Sequence, residues 1–195
     1  FATVESIKAR PWLIDDFDRL AEDLAITLPA KWGKAVIFLD NAGCDFILGV
    51  MPFARELALE GVRVVLAANE KPSLNDLTAD EVIKVSAQLA EIDPDLEALI
   101  EAGFFEVVST GNDTPLIDFA DVSDELNDAA ADADLIVLEG MGRGIESNLD
   151  AKFTVDTLHL GLIKDPRVAQ ELGGEMYDCV CRYKPIDPVD DSTTD

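Results

Sequence analysis

The sequence predicts an α/β fold: a doubly wound, mostly parallel sheet with helices on both faces, an α/β/α sandwich. Three observations point to it. Short apolar runs alternate with amphipathic stretches along the chain. The early runs are continuously apolar rather than alternating, as strands covered on both faces must be. Several runs also end on polar side chains, as expected where a parallel sheet binds ligands beyond its carboxyl ends. The 195 residues, 48% of them hydrophobic, suffice for one core. A single domain over residues 1–183 is expected, with a loose Pro- and Asp-rich tail over 184–195.

The elements follow in order. Leu and Phe at helical spacing predict a helix over 12–27. The run KAVIFLD (34–40) reads as a buried strand, and residues 45–61 as a helix closed by Gly61. VRVVLAA (62–68) is a second strand. TADEVIKVSAQLAE opens on a capping box, Thr78 with Glu81, and so begins a helix. FFEVVST (104–110) is a third strand, VSDELNDAAADA a helix, and DLIVLEG (134–140) a fourth strand. A fifth is expected over 153–164, a short helix from Pro166, and a last strand over 175–183 at a sheet edge. Asp45 is expected as a helix N-cap.

Composition excludes whole classes of function. The formal net charge is -25, which repels nucleic acid and anionic membranes. Solubility or tolerance of salt explains that acidity. No apolar run reaches the ~18 residues of a membrane span, and no signal peptide is recognisable. The chain begins with Phe1 rather than Met, so an upstream piece is expected. The cysteines, Cys44, Cys179 and Cys181, are odd in number and form no C-x-x-C pair. They read as core thiols in a reducing, cytoplasmic setting. The sole histidine, His159, lies in an apolar run and reads as structural.

The strand ends concentrate the chemistry. The first strand stops at Asp40-Asn41, and the second runs into a loop with Asn69, Asn75 and Asp76. The third leads to Asn112 and Asp113, the fourth to Glu139 and Arg143, the fifth to Lys164. If the strands are parallel, all share one edge. Polar loop residues also serve turns and caps. A carboxylate directly ending a buried strand, however, must find a partner. Carboxylate and amide oxygens are hard donors, suited to Mg²⁺ or Mn²⁺. The carboxylates, amides and two cations gathered on that edge form a candidate active site.

Short motifs exclude alternatives. GMGRG follows the fourth strand, so it is not a dinucleotide loop. No G-x-x-x-x-G-K-[ST] occurs. An aspartyl-phosphate motif wants a second Asp two places after Asp40, where Ala42 stands.

Three longer stretches carry a resemblance: FLDNAGCDFILGVMPFARELALEGVRVVLAANEKPSLNDLT, DADLIVLEGMGRGIESNL and LIKDPRVAQELGGEMYDCV. They resemble the damage-control metal phosphatases, long catalogued as a domain of unknown function. The likeness covers roughly residues 10–183. It is nearest to the branch found alone in plants and fused to pantothenate kinase in animals. The resemblance implies a divalent metal (Mn²⁺, Co²⁺, Ni²⁺ or Mg²⁺) and hydrolysis of small phosphate monoesters. For this branch it implies 4'-phosphopantetheine or its oxidised forms as substrate. By motif, Asp40 and Asn41 of DNAG and Asp76 of LND match the catalytic metal ligands. Glu139, Gly140, Gly142 and Arg143 of EGMGR, and Lys164 of LIK, match the phosphate contacts. The resemblance thus implies a metal that binds the phosphate and activates water, with helix N-H groups after Asn41, Arg143 and Lys164 offsetting the remaining charge, and Asp76 and Glu139 both candidates for a general base.

Family members also carry a helical region before the core that helps to wall the pocket, and only a short N-terminal stretch stands there here. The alternatives are a sugar-phosphate phosphatase of the same family and a non-catalytic module that binds phosphometabolites. A methyltransferase reading lacks its glycine-rich loop after the first strand.

Overall fold

The computed structural model describes residues 7–26 and 30–186. Its sheet has seven strands: β1 (Ile14–Asp15), β2 (Lys34–Phe38), β3 (Arg63–Ala68), β4 (Phe105–Ser109), β5 (Leu135–Glu139), β6 (Asp156–Leu162) and β7 (Cys179–Lys184). Their order is β1-β7-β6-β5-β2-β3-β4. Every pairing is parallel except β6 with β7. The helices are α1 (Phe17–Ile26), α2 (Met51–Leu59), α3 (Ala79–Ala90), α4 (Pro94–Glu101), α5 (Asp124–Ala130) and α6 (Pro166–Glu171).

Side chains alternate across a strand, so a strand buried on both faces feeds two cores. Ala35 and Ile37 of β2, Val64 and Leu66 of β3, and Leu135 and Val137 of β5 enter one apolar cluster. That cluster includes residues of α1, α2, α3 and α4. Val36 and Phe38, Val65 and Ala67, and Leu138 enter a second, with Leu126 and Ala129 of α5. This is why the runs are continuously apolar: all five residues of β2 are buried. A third cluster joins Ile145, Leu149, Ile163, Ala169 and Val180 beside β7.

Several expectations are corrected. The stretch from residue 12 is not helical at first. Ile14–Asp15 pairs with β7, and the Asp16 N–H donates to the Cys181 carbonyl at 2.8 Å. Leu13 and Ile14 pack on the third cluster, which puts apolar residues at spacings that imitate a helix. Residue 27, the end of that expected helix, lies outside the described residues. The expected helix 45–61 is two pieces, a π-helical turn (Asp45–Val50) and then α2. Asp45 is therefore not a cap; Cys44 holds that position without a side-chain bond. Cys44 is also exposed, not a core thiol.

The last strand starts at Cys179 and is not at the edge, because β1 lies outside it. Helix α4 has no counterpart among the expected elements, although Asp93 caps it and Pro94 opens it. Of the expected tail, Lys184 belongs to β7 and the Ile186 N–H donates to Asp156 Oδ1 at 2.7 Å. Residues 187–195 lie outside the described residues. The capping box at Thr78 and Glu81 is present. Among the described residues no helix is long and apolar enough to cross a membrane.

Candidate active site

Strand order changes direction at β2: the chain goes from β2 to β3 on one side, while β5 lies on the other. A crevice therefore opens between the carboxyl ends of β2 and β5, where open α/β sheets bind ligands. Asp40 follows β2, and Glu139 ends β5.

The loop after β3 folds back over the loop after β2. The Leu77 N–H donates to the Asp40 carbonyl at 3.0 Å, and the Ala42 N–H to the Asn75 carbonyl at 2.9 Å. Asn41 and Asp76 form an isolated antiparallel bridge, and Asn69 bridges Thr78. The Asn75 side-chain amide donates to Asn41 Oδ1 at 2.7 Å, and the Asn41 amide to Asp45 Oδ2 at 2.9 Å. Asp40, Asn41 and Asp76 are thus brought together by backbone pairing. Asp40 and Asp76 are both buried.

Between the two carboxylates lies Arg143, with no exposed surface. Its Nη1 donates to Asp40 Oδ1 at 2.8 Å and to Asp76 Oδ2 at 3.2 Å. Its Nη2 donates to Asn69 Oδ1 at 2.9 Å. Arg143 belongs to a second π-helical turn, Met141–Ser147, directly after β5. π turns concentrate at functional sites, and here one flanks each side of the crevice. The turn packs tightly because its glycines permit it. A Cβ on Gly142 would stand 2.6 Å from the Pro115 carbonyl oxygen, and one on Gly144 2.7 Å from that of Leu138. Gly140 has φ +91°, and a Cβ there would fall 1.8 Å from Asp40 Oδ2.

The surroundings shift the acids. Burial pushes the Asp40 carboxyl up to about 6, with the Arg143 charge opposing and Asp76 reinforcing the rise. Burial also pushes Glu139 up to about 8, against the hydrogen bond that its Oε1 accepts from the Asp40 N–H. Glu139 holds the backbone of Asp40 rather than facing a basic partner.

The crevice opens into a cleft of about 600 Å³. Val50, Phe53, Val137, Leu160 and Leu162 give it an apolar floor, while Asn41, Asp45, Glu139 and Lys164 give it a polar side. Lys164 is exposed, and its ammonium makes no ion pair among the described residues. A slightly larger groove, about 650 Å³, lies between the second π turn and α6, away from these residues.

The structure thus gathers Asp40, Asn41, Asp76, Glu139, Gly140 and Arg143, and Lys164 lines the same cleft as Asn41, Glu139 and Gly140. It places Arg143 behind the aspartates rather than at the surface as a phosphate contact. Asn112 is buried with its amide donating to the Asp121 carbonyl, and Asp113 is exposed. Sequence reasoning did not find the Thr114 carbonyl, which accepts from Asn69 at 3.2 Å. A main-chain acceptor in an irregular loop leaves no mark in residue types. His159 is structural: its buried Nδ1 donates to the Gly144 carbonyl at 2.9 Å.

The profile of the damage-control phosphatase ARMT1-like domain matches residues 1–180. The chain belongs to that family. A damage-control phosphatase of Arabidopsis thaliana is 45% identical over 185 residues, 95% of this chain and 49% of its own length. Pantothenate kinase 2 of rice is 42% identical over 91% of this chain and 22% of the relative. A mouse 4'-phosphopantetheine phosphatase is 29% identical over 91% of this chain and 27% of its own. The chain therefore spans about half the length of the Arabidopsis relative and about a quarter of the others. Among solved structures, a DUF89 family protein from Pyrococcus horikoshii superimposes with TM-score 0.64 at 23% identity. It covers 92% of this chain and 55% of that one, which shows that this damage-control phosphatase domain shares its fold.

Proposed function

We propose that this domain hydrolyses small phosphate monoesters with a divalent cation held by Asp40, Asn41 and Asp76, and that 4'-phosphopantetheine or an oxidised form of it is the substrate. One observation carries the reading: two buried carboxylates and an amide meet at the switch point of a parallel sheet, beside a cleft lined in part by an exposed lysine.

The donor set fits a hard cation. Two carboxylates face a single guanidinium, so the pocket holds surplus negative charge; burial raises the Asp40 carboxyl and the neighbouring Asp76 adds to the rise. Among the described residues no group of three or more His, Cys, Asp or Glu is arranged to hold a metal. Magnesium-like ions, however, are commonly held by one or two carboxylates, with the remaining places left to water and phosphate. When bound, the cation would supply Lewis-acid charge and an activated water.

The chain's own residues do the rest. Glu139 fixes Asp40 through its N–H. The ammonium of Lys164 meets the phosphate dianion from across the cleft. The apolar floor accommodates the uncharged arm of an amphiphilic ester, which favours a pantetheine-like substrate over a sugar phosphate. The names of the mouse and rice relatives point the same way.

A phosphate-release screen tests this reading. Mn²⁺ or Co²⁺ should support turnover, EDTA should abolish it, and 4'-phosphopantetheine should exceed hexose phosphates. Full activity after exhaustive chelation would remove the metal. A preference for fructose or glucose phosphates would remove the substrate.

A further inference from the structure

We infer that Arg143 is a positioning residue for the metal site: a buried internal counter-ion that sets the separation of Asp40 and Asp76, and not a contact to the substrate. The inference rests on the metal-site reading above. Its ground is geometric. The side chain is 1% exposed, so its guanidinium has no surface to offer a phosphate. One nitrogen, Nη1, bonds both carboxylates, at 2.8 and 3.2 Å. The other, Nη2, is held by Asn69 Oδ1 at 2.9 Å.

Asn69 is itself fully buried, and its amide donates to the Thr114 carbonyl at 3.2 Å. The backbone of Arg143 is fixed as well, since its carbonyl accepts from the Asn148 amide at 3.0 Å. The glycines on either side let the turn approach to distances that a Cβ would forbid. The guanidinium is therefore held from both ends before any ligand arrives.

The planar fork of arginine can place one N–H between two acceptors while another faces a third. A lysine ammonium in its place keeps the charge and loses that geometry. Partners that orient metal ligands typically change metal affinity or activity about 10- to 100-fold when altered. Arg143→Lys therefore separates charge from positioning. Asn69→Ser leaves Nη2 only the Thr114 carbonyl, at 3.5 Å, keeps the guanidinium charge, removes a long 3.5 Å bond to Asp76 Oδ2, and serves where the lysine variant folds poorly.

The probe is Mn²⁺, titrated into wild type, Arg143→Lys and Asn69→Ser by calorimetry and by the loss of the free-ion paramagnetic resonance signal. Inorganic phosphate is then titrated into each Mn²⁺-saturated protein. Both variants should lose Mn²⁺ affinity about 10- to 100-fold, with phosphate affinity of the loaded protein unchanged. Wild-type Mn²⁺ affinity in both variants with weakened phosphate binding would overturn the inference and restore Arg143 as a phosphate clamp. A lower melting temperature with wild-type Mn²⁺ affinity would overturn it too, leaving only a packing role. No Mn²⁺ binding by wild type would remove the metal site itself, and the inference with it.

Discussion

Replacing Gly140 by alanine isolates how tightly the crevice is built. Gly140 has φ +91° and ψ 161°, a region that side-chain-bearing residues avoid at a cost of about 1–3 kcal/mol. Its new Cβ would lie 1.8, 2.3 and 2.5 Å from Oδ2, Cγ and Cβ of Asp40, where ordinary contact begins at 3.4 Å. No small rotation of the carboxylate clears all three atoms. Asp40 must withdraw, and its 2.8 Å bond to Arg143 breaks. Losing one partner of a buried pair costs about 3–5 kcal/mol. The lower figure applies, because Arg143 keeps Asp76 and Asn69. The total is about 4–6 kcal/mol.

Gly61→Ala is the control. Gly61 has φ +92°, and a Cβ there would meet nothing within 4 Å, so only the backbone cost of about 1 kcal/mol applies. Urea denaturation of the metal-free proteins measures both. With a slope of about 2 kcal/mol/M, the midpoint should fall by about 2–3 M for Gly140→Ala and about 0.5 M for Gly61→Ala. In an Asp40→Gly background, Gly140→Ala should cost only its backbone share of about 1–3 kcal/mol, since the clash has lost its partner. Equal midpoints for the two single variants would refute the contact between Gly140 and Asp40.

Three further outcomes are expected. Lys164→Ala removes a charge-assisted bond worth about 1.5–3 kcal/mol, so kcat/KM should fall about 10- to 150-fold with Mn²⁺ affinity kept; wild-type kinetics would make Lys164 a solvated strand-end charge. Asp156→Ala strands the buried Trp32 Nε1, whose bond to Asp156 is 2.9 Å, and leaves Lys31 short of a partner. It should cost about 2–4 kcal/mol, against at most about 1 kcal/mol for Asp18→Ala, whose exposed carboxylate pairs with the exposed Arg10, measured by denaturation. Burial pushes the Asp156 carboxyl up, but hydrogen bonds from the Ile186 N–H, Trp32 and Lys31 outweigh it and hold the group below the usual range. Its stabilisation is therefore complete above about pH 4 and is lost as pH falls through the folded-state value; an acid limb unchanged in Asp156→Asn would refute this. Finally, Cys44 is exposed while Cys181 is buried with its thiol pushed up to about 11, so a thiol reagent at pH 8 should label Cys44 first and Cys181 only on unfolding, as peptide mapping can show.

Much of this architecture was legible because it rests on local chemistry. β2, β3 and β5 announce themselves as β-branched runs, and the pairing of Thr78 with Glu81 marks the start of α3. The crevice was legible for the same reason: a carboxylate ending a buried strand is a local anomaly whose position can be read directly. Where sequence reasoning failed, a non-local contact outweighed a local pattern. Leu13 and Ile14 keep a helix-like spacing, but Leu13 packs on the third cluster and Ile14 pairs with Val180 of β7, more than 160 positions away along the chain. The π turns were hidden because one extra residue per turn barely changes an apolar period.

Arg143 shows the limit most clearly. A lone arginine in GMGRG, next to a strand end and in an acidic chain, reads as an anion-binding charge because residue type and neighbours are all a sequence displays. Its role depends on where its charge is neutralised. Asp40 lies 103 positions away, Asn69 74 and Asp76 67. The two glycines flanking it, Gly142 and Gly144, permit a close approach that removes the guanidinium from solvent. The Arg143 charge is spent on Asp40 and Asp76, whereas Lys164 is exposed and lines the cleft. Of the two cations the sequence singles out, one is therefore neutralised inside the fold and the other faces solvent.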